Sequence, residues 1–447
     1  MLPDDKLPLF LMIIFSLFVF YSIRFMLKRK DDIYALSFFT LYIYTIFAQI
    51  GYAYFPEIST FVGAYFGPDL FYKYWAFMFF SFLFSFLLYR VINPKNSKKD
   101  IYSVKSSRVN YGEYLFFLIV ITLYLILNIY FYSNRGLFGY GGGQTMGGPW
   151  FGIGFLVFQT CTFILYILFR DKSNKINKRV FSFIIFILCF LFYLQIAVAA
   201  GSRSHILYFF IACIIYELSP LINTFKYKKR KVLIVLISGI LVFSLLSTLR
   251  TLRYQNMKSG QSTNLSSLYN FDSSDLNNLD EDISTIILLQ DYYLPSHTLF
   301  ISMDNKIIDP MEVIKSNFAN SLIYFDYPFL TNTILNRGLG IENERGVGWA
   351  YHYFVEGYNA LGQIGVFYNA LFWNLCMILW VRLTRTNNKR HNKNMSAILA
   401  LIIALSVKGQ TATFIKFYWL ILLPALGLLL LANNQKIAFF RRRLRKT

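Results

Sequence analysis

Charge is what this sequence has least of. Of 447 residues only 15% are Asp, Glu, Lys or Arg, where a soluble domain carries about a quarter. Cysteine is nearly absent too. Cys161, Cys189, Cys213 and Cys376 lie far apart, each inside an apolar run and without metal-ligand spacing. They read as small buried apolar residues. No HExxH occurs and no second histidine stands near His352, so a zinc site is not expected. No Walker A sequence is present, which leaves ATP-driven transport by this chain alone unsupported. The scarce charge is one-sided, with a formal net of +21. A basic chain raises the question of nucleic acid, but the basic residues are split among short clusters beside apolar runs, and nucleic acid is not expected as a partner.

What fills the chain is apolar: 56% hydrophobic and 19% aromatic residues. Runs of about 20 apolar residues are long enough to cross a bilayer as helices. Eleven are read, near 8–27, 33–54, 70–92, 114–133, 151–169, 180–200, 204–222, 231–249, 361–382, 395–409 and 414–433, and 10 to 13 bounds the count. The first lacks a basic start and a small-residue cleavage site, so it reads as a span and not as a cleavable signal. Six clusters, from "RFMLKRK" to "KIAFFRRRLRK", hold 31 of the 44 Lys and Arg. They fall at every second connection, as cytoplasmic loops do under the positive-inside rule. The expected fold is all-α, a polytopic integral membrane protein. Its N-terminus is outside and its C-terminus inside.

The connections divide the chain into residues 1–249 with eight spans, a large external loop at 250–360, and 361–447 with three spans and a basic tail. From Arg250 to Asn359 there are 13 acidic residues against 7 basic, the opposite sign to the inside loops. Within it, "MKSGQSTNLSSLYNFDSSDLNNLDED" is polar and irregular in pattern. "ISTIILLQDYYLPSHTLFISM" and "PMEVIKSNFANSLIYFDYPF" are amphipathic and predict short helices on the membrane surface. A second external connection, "SNRGLFGYGGGQTMGGPW", is Gly-rich and reads as a flexible turn, with a substrate-contacting lid as the alternative. The acidic triplet Asp280, Glu281 and Asp282 lies in the polar segment, away from cytoplasmic nucleotides, which argues against a nucleotide-sugar metal site.

Two places hold chemistry. "AVAAGSRSHILYFF" joins two apolar runs with Gly201, Ser202, Arg203, Ser204 and His205 in between. The next span exits outward through "STLRTLRYQNMK", bringing Arg250 and Arg253 to the same side. An ionisable group near hydrocarbon is costly and marks a site by default. Arginines also snorkel to lipid phosphates, but three at matching depth favour an anion site, since the guanidinium fork suits phosphate. The second place is "NRGLGIENERGVGWAYHYFVEGYNALGQIG". Arg345, Trp349, His352, Glu356, Asn359 and Gln363 recur at spacings of 4, 3, 4, 3 and 4, which predicts one polar stripe on a continuous helix. His352 and Glu356, one turn apart, are candidate general bases; the wet face of an interfacial helix is the alternative. Gly357, Gly362 and Gly365 predict close helix packing.

Three of these features carry a resemblance: "GSRS" opening a membrane helix, the outward arginine pair of "LRTLRY" before one long external loop, and "EGYNALGQIG" at Glu356 to Gly365. In their order and sidedness they resemble the O-antigen polymerases, the Wzy-type oligosaccharide repeat-unit polymerases of lipopolysaccharide and polysaccharide biosynthesis, and more distantly the O-antigen ligases. Asn359 comes one position earlier than in the family's E-x-Y-x-N-[FL]-G-x-x-G element. "HY" stands where the ligases have HN.

The resemblance implies a C-type glycosyltransferase-like membrane fold and a metal-independent glycosyltransferase needing no cofactor. Its substrates would be glycans on undecaprenyl pyrophosphate at the outer leaflet of the bacterial cytoplasmic (inner) membrane, with a chain-length regulator and a flippase as further partners. It implies Arg203 and Arg250 on the pyrophosphate, Arg253 or Arg345 assisting, and Glu356 as base with His352 second. Ser202, His205, Trp349, Tyr351, Tyr358 and Asn359 would complete the substrate contacts. An O-antigen ligase and a lipid-linked oligosaccharide flippase are the competing expectations. The flippase fits less well, because mid-span positions are nearly free of charge.

Overall fold

The structure is a computed structural model. It describes residues 6–29, 31–54, 68–93, 111–133, 148–170, 176–199, 203–218, 310–321, 352–384 and 398–403, with a few isolated residues near 233–241, 299–303, 411 and 415. Everything regular among the described residues is helical, with no strand. In chain order the helices are α1 (Lys6–Lys28), α2 (Asp32–Tyr54), α3 (Pro68–Ile92), α4 (Tyr111–Ser133), α5 (Gly148–Arg170), α6 (Ile176–Ala199), α7 (Arg203–Leu218), α8 (Pro310–Ser321), α9 (Val355–Leu361) and α10 (Gly365–Thr384).

Local chemistry sets several ends. Proline opens α3 and α8, where its missing N–H is not needed and its φ already suits a helix. Asp32, Asp69 and Glu312 sit in first turns, and Lys28, Arg90 and Arg170 in last turns, each beside the helix-dipole end of opposite sign.

Among the described residues, five stretches are long and apolar enough to cross a membrane: Leu7–Lys28, Asp32–Ile50, Asp69–Ile92, Ile176–Ala197 and Val355–Val381. The first seven expected runs and the ninth all fall on described helices. The runs at 231–249 and 395–409 are described only in fragments, and 414–433 lies outside the described residues apart from Ile415. Beside a buried apolar core, large apolar side chains also face outward and several polar ones face inward. Leu17, Val91 and Phe116 are 65%, 74% and 70% exposed, while Ser37, Thr45, Gln49, Ser81, Ser85, Asn369 and Asn374 are buried. Buried polar and exposed apolar side chains are what a helical membrane protein presents, its backbone satisfied within each helix and its polar side chains turned toward helix neighbours.

The chain divides into two compact units. One holds residues 1–99, 279–383 and 402–417. Its core is aromatic: Phe38 meets Phe82 edge-on at 4.7 Å and lies 5.4 Å from Trp373. Trp373 Nε1 donates to Ser37 Oγ at 3.0 Å, and Asn374 donates to the Ser85 carbonyl at 3.1 Å, tying α10 to α2 and α3. At one end, Arg29 donates to the Asn93 carbonyl at 2.5 Å and Tyr89 to Asp31 at 2.6 Å, so the α1–α2 connection and the end of α3 meet.

The other unit holds residues 100–278, 384–401 and 418–447. In it α5 packs along α6, and Gln159 donates to Tyr193 at 2.8 Å. Where α5 and α7 end, Arg170 pairs with the buried Glu217, which also accepts from Tyr166 at 3.1 Å.

Candidate functional site

The segment His352–Gly365 does not run as the single helix that its 4-3-4-3-4 spacing predicts. His352 precedes the helix, Tyr353 and Phe354 form a turn, and α9 starts at Val355. The side chain of His352 explains the late start. Its Nδ1 accepts the Phe354 backbone N–H at 3.1 Å, a local bond that competes with helical pairing. The chain then tightens, with Val355 N–H donating to the His352 carbonyl at 2.9 Å.

At the other end Gly362 has φ +62°, a conformation that glycine adopts without steric cost. It stops α9 and opens a 3-10 turn, Gly362–Ile364, before α10. The expected stripe is therefore broken: Gln363 is exposed on that turn, Asn359 is half-buried on α9, and Glu356 is buried. Close packing, expected of all three glycines, holds for two. A methyl group on Gly357 or Gly365 would overlap the other's backbone, whereas Gly362 faces open space and serves by its φ alone.

Asn369 locks this break. Its Oδ1 accepts the Gly357 N–H at 3.0 Å, and its Nδ2 donates to the Phe354 carbonyl at 2.8 Å and to Ser81 Oγ at 2.9 Å. One side chain thus joins α9, the turn before it, α10 and α3.

Glu356 sits inside this frame and is 1% exposed. Its Oε1 accepts from Asn317 Nδ2 on α8 and from the Tyr368 hydroxyl on α10, the latter at 2.5 Å. Its Oε2 accepts the Thr411 backbone N–H at 2.7 Å. Asn317 also donates to Tyr368 at 3.1 Å, and Thr411 Oγ1 to the Tyr353 hydroxyl at 3.3 Å. All three groups donate to the carboxylate, so both of its oxygens are engaged. A carboxylate can take a proton from a hydroxyl brought within about 3 Å, which at Glu356 requires that hydroxyl to displace one of the three donors.

His352 is committed differently. It is fully buried. Nε2 lies 3.2 Å from the Leu41 carbonyl and 3.1 Å from Thr45 Oγ1, and Thr45 itself donates to that carbonyl at 2.9 Å. With Nδ1 accepting, Nε2 must carry the proton, so the ring is neutral with both nitrogens engaged. Burial pushes its pKa down to about 4, against a smaller opposing effect of the Leu41 carbonyl. This geometry suits an anchor of the α9 entrance onto α2 more than a proton acceptor.

Of the other expected site residues, Tyr358 is half-buried with its ring edge-on to Phe77 at 5.3 Å. Arg203 and His205 lie in the first turn of α7, in the unit that does not contain Glu356. Ser202, Arg250, Arg253, Arg345, Trp349 and Tyr351 lie outside the described residues, as do the acidic triplet at 280–282 and nearly all of the Gly-rich connection. Among the described residues no three His, Cys, Asp or Glu side chains are grouped to hold a metal ion.

Sequence reasoning missed Asn317, Tyr368, Asn369 and Thr411. The available signal was polarity: Asn369 and Asn374 interrupt an otherwise apolar run. Also missed was Gln49, one turn beyond Thr45 on α2. It is fully buried, and its amide oxygen and nitrogen find no hydrogen-bond partner among the described residues.

No protein-family model, no curated protein and no solved structure matches this chain.

Proposed function

We propose that the chain is a membrane glycosyltransferase that polymerises oligosaccharide repeat units carried on undecaprenyl pyrophosphate. The growing glycan passes from its carrier to the non-reducing end of a newly arrived unit. A hydroxyl oxygen of that unit attacks the anomeric carbon and the glycosyl–phosphate C–O bond breaks. The bonding pair leaves with the pyrophosphate, and the hydroxyl proton goes to a carboxylate. The observation that carries this reading is Glu356: a buried carboxylate, caged by Asn317, Tyr368 and Thr411, at the start of a candidate membrane span. It is also the first residue of the element that resembles the polymerases. Ionisable groups at such depth are expensive to keep and are functional by default.

In this proposal Glu356 is the base. Arg203 and Arg250, with Arg253 or Arg345, meet the charge that builds on the leaving pyrophosphate. Guanidinium donors near low-dielectric lipid stabilise that charge strongly. Tyr358 and Asn359, with Ser202, His205, Trp349 and Tyr351, contact sugar. The large loop, the active face and the N-terminus lie outside the cytoplasmic membrane, and the basic connections inside. Eleven spans and a C-type glycosyltransferase-like fold belong to the same proposal.

The experiment is reconstitution of the purified chain in vesicles with lipid-linked repeat units. Lengthened glycan together with released undecaprenyl pyrophosphate supports the proposal. Lipid-linked units that cross the bilayer without lengthening would replace it with a flippase.

A further inference from the structure

The α1–α2 connection and the end of α3 lie at one level. Three candidate spans end there, at Lys28, Asp32 and Ile92. Arg29 reaches across to the Asn93 carbonyl and Tyr89 to Asp31. Spans that end together mark the depth where hydrocarbon gives way to headgroups. Basic side chains gather at this level: Arg24, Lys28 and Arg90 are exposed and Arg29 is half-buried. Of the two carboxylates alongside, Asp32 sits in the first turn of α2, and Asp31 is buried and accepts from Tyr89.

Two of these cations share one ring. The Arg29 guanidinium carbon lies 4.5 Å from the Phe25 ring centroid, and that of Arg90 lies 5.3 Å from the same centroid. Attraction to a ring face uses none of the N–H donors. Arg29 gives one N–H to Asn93, and Arg90 gives none to a described residue. Neither is paired with a carboxylate among the described residues. Two like charges are thus held side by side with most of their donors unspent, which suits a shared anion.

One turn further into the spans the surface changes character. Tyr21 precedes Phe25 by four residues and Leu87 precedes Arg90 by three, so each continues the same face of its helix. Tyr21 and Leu87 are 58% and 41% exposed. Between them α1 and α3 are joined by Tyr21 and Phe25, both edge-on to Phe86. A cation pair therefore stands at the head of an outward apolar surface. A free anion would use only the first; an amphiphile uses both.

We propose that Arg29 and Arg90 bind the phosphate of an anionic phospholipid whose acyl chains lie along Tyr21 and Leu87. The headgroup is one without a cation of its own, as in phosphatidylglycerol, because two guanidiniums beside the phosphate repel a choline. Sorting of basic loops to one side of a membrane asks for no particular lipid; this site does. It needs only that α1 and α3 span the bilayer and is independent of the glycan reaction.

The test uses the full chain purified in detergent. It is titrated with phosphatidylglycerol, or with phosphatidylcholine of the same acyl chains, and bound lipid is counted by native mass spectrometry. The expected result is one tightly held phosphatidylglycerol per chain and weaker binding of phosphatidylcholine. Arg29→Gln and Arg90→Gln should each weaken the tight binding about fivefold, the worth of one basic residue beside anionic headgroups. Lys178→Gln, in the other unit, should leave it unchanged. Arg29→Gln also removes the bond to Asn93, so Arg90→Gln reads the site if the first variant fails to fold. Equal retention of the two lipids overturns the proposal. So does unchanged phosphatidylglycerol binding in Arg90→Gln, or an equal loss in Lys178→Gln, which would make the effect one of total charge. Release of the bound lipid by glycerol phosphate overturns it as well, because the site then takes a soluble anion and the apolar surface contributes nothing.

Discussion

The Tyr368 hydroxyl donates to the Glu356 carboxylate at 2.5 Å, across the break between α9 and α10. The two residues are 12 positions apart, and on an unbroken helix they would be about 18 Å apart along the axis. The positive φ of Gly362 and the close approach of Gly357 to Gly365 bring them together. The break in the helix is therefore what builds the carboxylate's cage.

Tyr368→Phe removes one donor and keeps the ring. Hydrogen bonds to charged groups are worth about 1.5–3 kcal/mol, so the unfolding free energy in detergent should fall by roughly that amount. Glu356→Gln keeps the shape but points an amide N–H at a donor. It should cost about 1–3 kcal/mol and, if Glu356 is the base, lower turnover by roughly 10²–10⁴-fold. Rates normalised to folded protein separate the two effects. Near-native normalised turnover would remove Glu356 as base.

Gly365→Ala and Gly362→Ala should both destabilise, for different reasons. At Gly365 an added methyl overlaps backbone that cannot move aside, and overpacking costs about 1–3 kcal/mol or more. At Gly362 there is open space, and the cost is backbone strain: φ +62° with ψ −137° is reached almost only by glycine and costs another residue about 1–3 kcal/mol. Thermal unfolding checks both: a Gly365→Ala variant as stable as the parent would contradict the close contact of Gly357 and Gly365, and a Gly362→Ala variant as stable would contradict the positive φ.

His352 predicts a pH dependence. It is neutral when folded, with a pKa near 4, against about 6.5 when unfolded. Between those values the unfolded chain binds the extra proton, so stability rises with pH. The contribution is fully present above about pH 6.5 and is lost as pH falls toward 4, at up to about 1.4 kcal/mol per pH unit. His352→Gln should be less stable at pH 7 and show a shallower slope from pH 6.5 to 4.5. An unchanged slope would contradict a buried neutral ring.

Gln49→Leu removes a buried amide that has no partner among the described residues. An unsatisfied buried polar group costs about 1–3 kcal/mol, so the variant should unfold at a higher temperature. A lower one would show that the amide is paired in the bilayer.

The helices were legible because an apolar run of span length is local information, and most expected boundaries fall within a few residues of the observed ones. The amphipathic pattern of 310–321 was legible for the same reason. The polar stripe was misleading. Its spacing is helical, but one backbone angle at Gly362 and one side-chain bond at His352 override it. Neither can be read from periodicity. His352 finds Thr45 from 307 positions away, and Asn369 finds Ser81 from 288. Such pairings are decided by tertiary packing. What the sequence did offer was a set of polar residues within apolar runs, and most of those found inward partners.

The most direct measurement is a gel of surface glycan from a strain lacking the gene, with and without its restoration. The account predicts a single-repeat band that becomes a ladder when the gene is restored, and stays a single band with Glu356→Gln or Arg203→Lys at normal abundance. A full ladder without the gene, or polymer that is made but stays on its lipid carrier, would contradict it.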